Sequence, residues 1–100
     1  MRLKDKVIIV TGGVRGIGQF YVQVLAKEGA RVVVADIEDG EDLVDRIKRE
    51  GGKAVAVKTD VTDEIATQEM AKTALDTFGR IDVLVNTAGI SGLFERIQIE

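Results

Sequence analysis

Val7-Ile8-Ile9-Val10-Thr11-Gly12-Gly13-Val14-Arg15-Gly16-Ile17-Gly18 is the stretch around which the rest of the chain is organised. Four β-branched apolar residues run directly into a glycine-rich turn, and an amphipathic stretch follows from Ile17. That order predicts a buried parallel strand, a tight turn, and a helix whose N-terminus faces the turn. Gly12 lets the chain turn sharply at the strand end. Gly16 and Gly18, lacking Cβ, let phosphates approach the backbone and let the helix pack close to the strand. The N–H groups and the positive dipole end at the start of that helix then make an anion site. The glycine spacing is Thr11-Gly12-x-x-x-Gly16-x-Gly18, not the general G-x-G-x-x-G.

Outward from this stretch, strands and helices alternate. The first strand is read as Lys6 to Thr11, apolar on both faces and so covered on both. A helix from about Gly16 to Glu28 places Ile17, Tyr21, Val24 and Leu25 on one inward stripe, flanked by Phe20, and Gly29 caps it. Arg31 to Asp36 is a second buried strand, followed by a turn at Glu38, Asp39 and Gly40. Glu41 to Glu50 reads as a helix with Leu43, Val44 and Ile47 inward. Its acidic start and its Lys48-Arg49 end suit the helix dipole. Lys53 to Lys58 is a third strand with Val55 and Val57 as its main apolar residues. Thr62 is the expected N-cap of a helix running to about Phe78, with Ala66, Met70, Ala74 and Phe78 at helical spacing. Gly79 ends it. Ile81 to Val85 is a fourth strand, followed by the turn Asn86-Thr87-Ala88-Gly89. From Ile90 onward no element is assigned, although Phe94 and Ile97 can form an apolar pair.

The alternation predicts an α/β fold: a parallel, Rossmann-type doubly wound sheet with helices on both faces. Right-handed crossovers give strand order 3-2-1-4. The order reverses between strands 1 and 4, where sheets of this kind bind ligands. Both turns flanking that crevice contain glycine.

The 100 residues make one small domain, and 45% hydrophobic residues is ordinary for a core-forming chain. The net charge of -3, with acidic and basic residues interspersed, argues against nucleic acid as the main partner. With neither Cys nor His, disulfides, thiol nucleophiles, imidazole bases and almost every zinc site are excluded. The N-terminus lacks the long apolar run of a signal peptide, and no run reaches the roughly 20 residues that cross a bilayer. A cytoplasmic protein is expected.

Asp36 ends strand 2, where a carboxylate either starts an Asx turn or accepts hydrogen bonds from both hydroxyls of an adenosine ribose; the glycine turn before it favours the ribose role. Asp60 ends strand 3 and borders the same crevice, either as a turn residue or in contact with an adenine edge. Asn86 ends strand 4, where its amide can tie two loops together and support a cofactor. Gly89 allows the backbone to pass close to a ligand or simply turns the chain.

These residues together resemble the short-chain dehydrogenase/reductase family. Thr11-Gly-Gly-Val-Arg-Gly-Ile-Gly18 is similar to that family's cofactor turn T-G-x-x-x-G-x-G. Asp60-Val61 is similar to its adenine-binding D-V, and Asn86-Thr-Ala-Gly89 to its N-N-A-G, with Thr87 departing at the second position. The resemblance implies a nicotinamide dinucleotide. The turn from Gly12 through Val14, Arg15, Gly16 and Ile17 to Gly18 would hold the pyrophosphate side. Asp36 would take the adenosine ribose, with Ile37 beside it, and Asp60 and Val61 the adenine. Asn86, Ala88 and Gly89 would line the crevice toward the second ribose. NAD is favoured over NADP, because Asp36 repels a 2′-phosphate. Arg15 argues the other way, since it resembles the basic residue that NADP-users of the family place in that turn.

The family's catalytic Ser and Tyr-x-x-x-Lys set is not matched. The one Tyr, Tyr21, is followed four residues on by Leu25, and the one Ser, Ser91, stands too early. The chain is therefore expected to be the cofactor-binding half of a longer oxidoreductase, with the catalytic segment beyond Glu100. The alternative is a catalytically silent dinucleotide-binding module. A nucleoside-ligand domain such as a methyltransferase fits the glycine spacing less well, and a P-loop NTPase is excluded by the lack of G-K-[ST]. If the chain ends at Glu100, strand 4 is an apolar parallel edge, and the 100-residue product is expected to self-associate or to be marginally stable.

Overall fold

The computed structural model of the protein describes residues 3–87. Their order is β1 (Val7–Thr11), α1 (Gly16–Lys27), β2 (Arg31–Asp36), α2 (Glu41–Arg49), β3 (Lys53–Lys58), α3 (Glu64–Phe78) and β4 (Val83–Asn86). The four strands form one sheet in the order β3-β2-β1-β4, with every pair parallel. Fold class and strand order are those expected from the sequence. Element ends moved by one or two residues, most at β4, which begins at Val83 rather than Ile81.

The β-branched run of β1 is buried at all five positions because it is central and covered on both faces. Alternate residues feed two cores. Ile8, Val10, Val32 and Val34 meet Val22 and Ala26 of α1 and Leu43, Val44 and Ile47 of α2. Val7, Ile9, Val33 and Ala35 meet Met70 and Ala74 of α3 on the other face. Each such aliphatic side chain removed from water contributes about 1.5–3 kcal/mol, so this two-sided burial fixes β1 as the centre of the fold. On β3 the fully buried residue is Ala54, while Val55 and Val57 pack partly against the α3 side.

Two local expectations are corrected. The inward face of α1 is Gly18, Val22 and Ala26, with Leu25 partly packed against the core, whereas Ile17, Phe20 and Val24 are exposed. The helix approaches the sheet by its smallest residues because its first turn must come close to Gly12. Its larger apolar residues are left on the flank, where Phe20 and Tyr21 meet edge to face with centroids 6.1 Å apart. The N-cap of α3 is Asp63, not Thr62: Asp63 accepts from the N–H groups of Ile65 and Ala66. Thr62 instead donates its hydroxyl, over 2.6 Å, and its N–H, over 2.9 Å, to Asp60 Oδ1. The Asp carboxylate is the stronger acceptor and sits one residue nearer the first turn.

Candidate functional site

The C-terminal ends of the strands open on two adjoining grooves of about 270 Å³ each, which share Gly12, Asp36 and Ile37. The first runs under the glycine turn and is also lined by Arg15, Gly16, Ile17, Gly18, Glu38 and Thr87. The second is completed by Thr59, Asp60 and Val61 at the end of β3. Of the expected site residues, nine line one or both grooves: Gly12, Arg15, Gly16, Ile17, Gly18, Asp36, Ile37, Asp60 and Val61.

The glycines divide their tasks more sharply than the sequence indicated. A Cβ on Gly18 would stand 1.8 Å from the carbonyl oxygen of Gly12 and 3.0 Å from Thr87 Oγ1. Only a glycine allows α1 to start that close to the end of β1. Gly16 has a φ of +57° and nothing within 4 Å of an added Cβ, so its bare backbone faces open space. The N-cap of α1, Arg15, makes no side-chain cap hydrogen bond, and no acidic residue stands in the first turn. An oxyanion is the ligand chemistry that such a helix start accepts.

Asp36 is held on both sides. Its Oδ2 accepts from the N–H of Val14 and its Oδ1 from the N–H of Glu38, each over 3.0 Å. The carboxylate thus latches the glycine turn to the turn after β2 and stands fixed where the grooves meet. Val14 acts through this N–H, while its side chain packs against the core. Ile37 is 66% and Val61 44% exposed, so each offers an apolar surface beside Asp36 and Asp60. Asp60 itself serves its local turn: the hydroxyl of Thr62, and then its N–H, hold the Asp60 carboxyl below the usual carboxylate range.

The β4 end is tied in from below. The hydroxyl of Thr11 donates to Asn86 Oδ1 over 3.0 Å, and Asn86 is the register partner of Thr11 across β1 and β4. Asn86 lines neither groove but braces the strand end beneath them. Thr87, the position that departs from the family's N-N-A-G, is buried and donates its hydroxyl to the carbonyl oxygen of Thr11, with that of Gly12 at 3.3 Å. Ala88 and Gly89 lie outside the described residues, as do Ile90, Ser91, Phe94 and Ile97.

Sequence reasoning missed Thr87 as a brace, Glu38 as a lining residue and Thr59 as the floor of the second groove. Thr59 is buried, and its N–H donates to the carbonyl oxygen of Asp36 over 2.8 Å. A threonine directly after a strand was the available signal. The partner of Glu38 had no sequence signal, because it lies across the crevice.

A larger concavity of about 520 Å³ lies at the other end of the sheet, among Lys4, Asp5, Lys27, Glu50 and Lys53. Charges of both signs line it, and the helix ends there are closed by their own backbone. Gly29 and Ala30 donate to Ala26 and Leu25, and Gly51 and Gly52 to Lys48 and Ile47, over 2.9–3.1 Å. Size alone does not make it a site. Among the described residues no cluster of His, Cys, Asp and Glu could hold a metal, and no helix is long and apolar enough to cross a membrane.

The model of the short chain dehydrogenase family matches residues 6–100. The chain is 47% identical over 87% of its length to a peroxisomal hydratase-dehydrogenase-epimerase of Neurospora crassa, covering 9% of that protein. It is 42% identical over 89% of its length to an uncharacterized oxidoreductase of Bacillus subtilis, covering 33% of it. Among solved structures, a hydroxysteroid dehydrogenase from Escherichia coli superposes with a TM-score of 0.82 and 38% identity, over 84% of this chain and 37% of that one. The chain therefore belongs to the short chain dehydrogenase family, and it spans about a third or less of the length of these relatives. Family membership implies a nicotinamide dinucleotide, NAD or NADP. The residues present fit that group, with a bare glycine backbone at an uncapped helix start, a fixed carboxylate, and apolar surfaces in the adjoining groove. Once bound, such a cofactor supplies a hydride acceptor or donor.

Proposed function

We propose that this chain is the cofactor-binding part of an oxidoreductase that transfers hydride between a nicotinamide dinucleotide and an alcohol or carbonyl compound. The observation that carries this reading is the convergence of two grooves on Asp36 beside the uncapped start of α1. Gly12, Gly16, Ile17 and Gly18 receive the pyrophosphate side, with Val14 holding Asp36 and Arg15 at the rim. Asp36 accepts the hydroxyls of the adenosine ribose. Ile37, Asp60 and Val61 form the adenine side, and Asn86, with Ala88 and Gly89, the side toward the second ribose.

NAD is the preferred form. Asp36 and Glu38 both line the groove beside the ribose position, and like charges about 4 Å apart repel by roughly 1 kcal/mol in water and about 4 at intermediate dielectric. Residues 1–100 act as one dinucleotide-binding domain, and proton transfer to the substrate falls to residues outside it. A cytoplasmic location and self-association along the β4 edge belong to the same reading. Exposed Val83 and Leu84 on β4, an edge strand among the described residues, support the latter. Titration of NADH and NADPH, followed by cofactor fluorescence, tests the assignment. Tighter binding of NADH is expected, and tighter NADPH binding overturns the preference.

A further inference from the structure

Among the described residues lining the groove under the glycine turn, Arg15 is the one cation, and it is engaged. Its Nε lies 2.5 Å from Glu38 Oε2. The two side chains are 77% and 41% exposed, so the pair stands at the rim, in contact with water. Glu38 also gives its backbone N–H to Asp36, whose other oxygen holds Val14. The turn after β2 is thus fastened to the glycine turn twice, through backbone by Asp36 and through side chains by Glu38. The described lining residues carry one positive and two negative charges.

We propose that Glu38 is a specificity-determining residue. By holding the guanidinium of Arg15, it withholds from a 2′-phosphate the cation that phosphate requires, and so keeps the site for the unphosphorylated ribose of NAD. This inference rests on the cofactor site proposed above. A guanidinium recognises phosphate by presenting its planar fork of donors. Here the Nε side of that fork is committed to Glu38, which sets the plane of the group and compensates its charge. A phosphate entering beside Arg15 meets a rim that is already net negative and has to displace Glu38 or add a third negative charge. Asp36 is a poorer position for changing the preference, because its carboxylate also holds the N–H groups of Val14 and Glu38. The Glu38 side chain stands at the rim, where its exchange leaves both of those hydrogen bonds in place.

The test titrates NADH and NADPH against the full chain in four forms: wild type, Glu38→Gln, Arg15→Gln and the double variant. Each is measured at low and at high salt. Glu38→Gln is expected to raise the affinity for NADPH relative to NADH about two- to fivefold at low salt, the scale of an exposed ion pair. The gain should shrink at high salt. The double variant should lose most of that gain. If wild type binds NADH and Glu38→Gln leaves the ratio unchanged, the latch is overturned and the cofactor site stands. An equal gain in the double variant assigns the effect to the charge of Glu38 alone and overturns the latch as well. A wild type that prefers NADPH overturns both the NAD preference and the latch, and one that binds neither dinucleotide overturns the site itself.

Discussion

The N-termini of α1 and α3 stand at the same end of the sheet and are finished in opposite ways. At α3, Asp63 supplies a carboxylate that accepts from Ile65 and Ala66, and Glu64 adds a negative charge to the first turn. At α2 the cap, Gly40, makes no side-chain cap bond either, but Asp39 just before it accepts from the N–H of Glu41, and Glu41 and Asp42 stand in the first turn. At α1 the cap position holds Arg15, without a side-chain cap bond and without an acid in the first turn. A helix start that is not satisfied within the chain costs stability unless water or a ligand serves it. The difference separates structure from function: α2 and α3 keep their donors for themselves, and α1 presents its donors to the crevice.

The largest expected effect is at the close approach that positions α1. Gly18→Ala puts a methyl group 1.8 Å from the Gly12 carbonyl oxygen, so the helix start has to move. A destabilisation of about 3 kcal/mol is expected, the upper range for overpacking, together with loss of dinucleotide binding. Gly16→Ala meets no atom but holds a φ of +57°, so its cost should be about 1 kcal/mol. Thermal denaturation of the two variants side by side distinguishes a packing glycine from a conformational one.

Giving α1 the finish of α3 is the next test. Arg15→Asp supplies a capping carboxylate in the extended cap conformation already present at Arg15, φ -131° and ψ 161°. It also places a negative charge where a pyrophosphate is to be held. Affinity for both dinucleotides should fall by about tenfold or more, as seen by fluorescence titration. Unchanged affinity would show that the start of α1 is not the anion site. The reverse exchange is milder. Asp63→Ala should lower stability in urea by about 1 kcal/mol and leave dinucleotide affinity at the wild-type level.

The smallest effect is at the far end of the sheet. Asp82 accepts from the N–H of Val7 over 2.8 Å and pairs with Arg80, and the Val7 hydrogen bond, foremost, holds its carboxyl below the usual carboxylate range. A depressed pKa in the folded state contributes stability that is present above the unfolded value of 3.8 and is lost as pH falls through the lower folded value. Asp82→Asn should therefore weaken the fold slightly near neutral pH and flatten the acid limb of a stability-against-pH curve. Cofactor affinity should not change, because Asp82 lies at the end of β4 away from the crevice.

The sequence made the strand–helix order legible because period-2 and period-3.6 patterns are local. The residues at the strand ends were legible for the same reason: glycine spacing and terminal carboxylates sit next to the elements they finish. The inward face of α1 was not, because side-chain size pointed to Ile17 and Val24, whereas the approach to Gly12 demanded Gly18, Val22 and Ala26. The cap of α3 was off by one residue because Thr62 and Asp63 are both good caps, and only the competing claim of Asp60 on Thr62 decides between them.

By itself, then, the sequence determined the parallel sheet, its 3-2-1-4 order and the set of strand ends that meet at one crevice. The tertiary structure decided which groups bind each other across that crevice: Asp36 to Val14, Thr87 to Thr11, and Arg15 to Glu38. The physical reason is separation along the chain. Hydrogen-bonding periodicity is encoded within a few neighbouring residues, whereas these contacts join positions more than twenty residues apart, and they exist only once the sheet has brought its strand ends together.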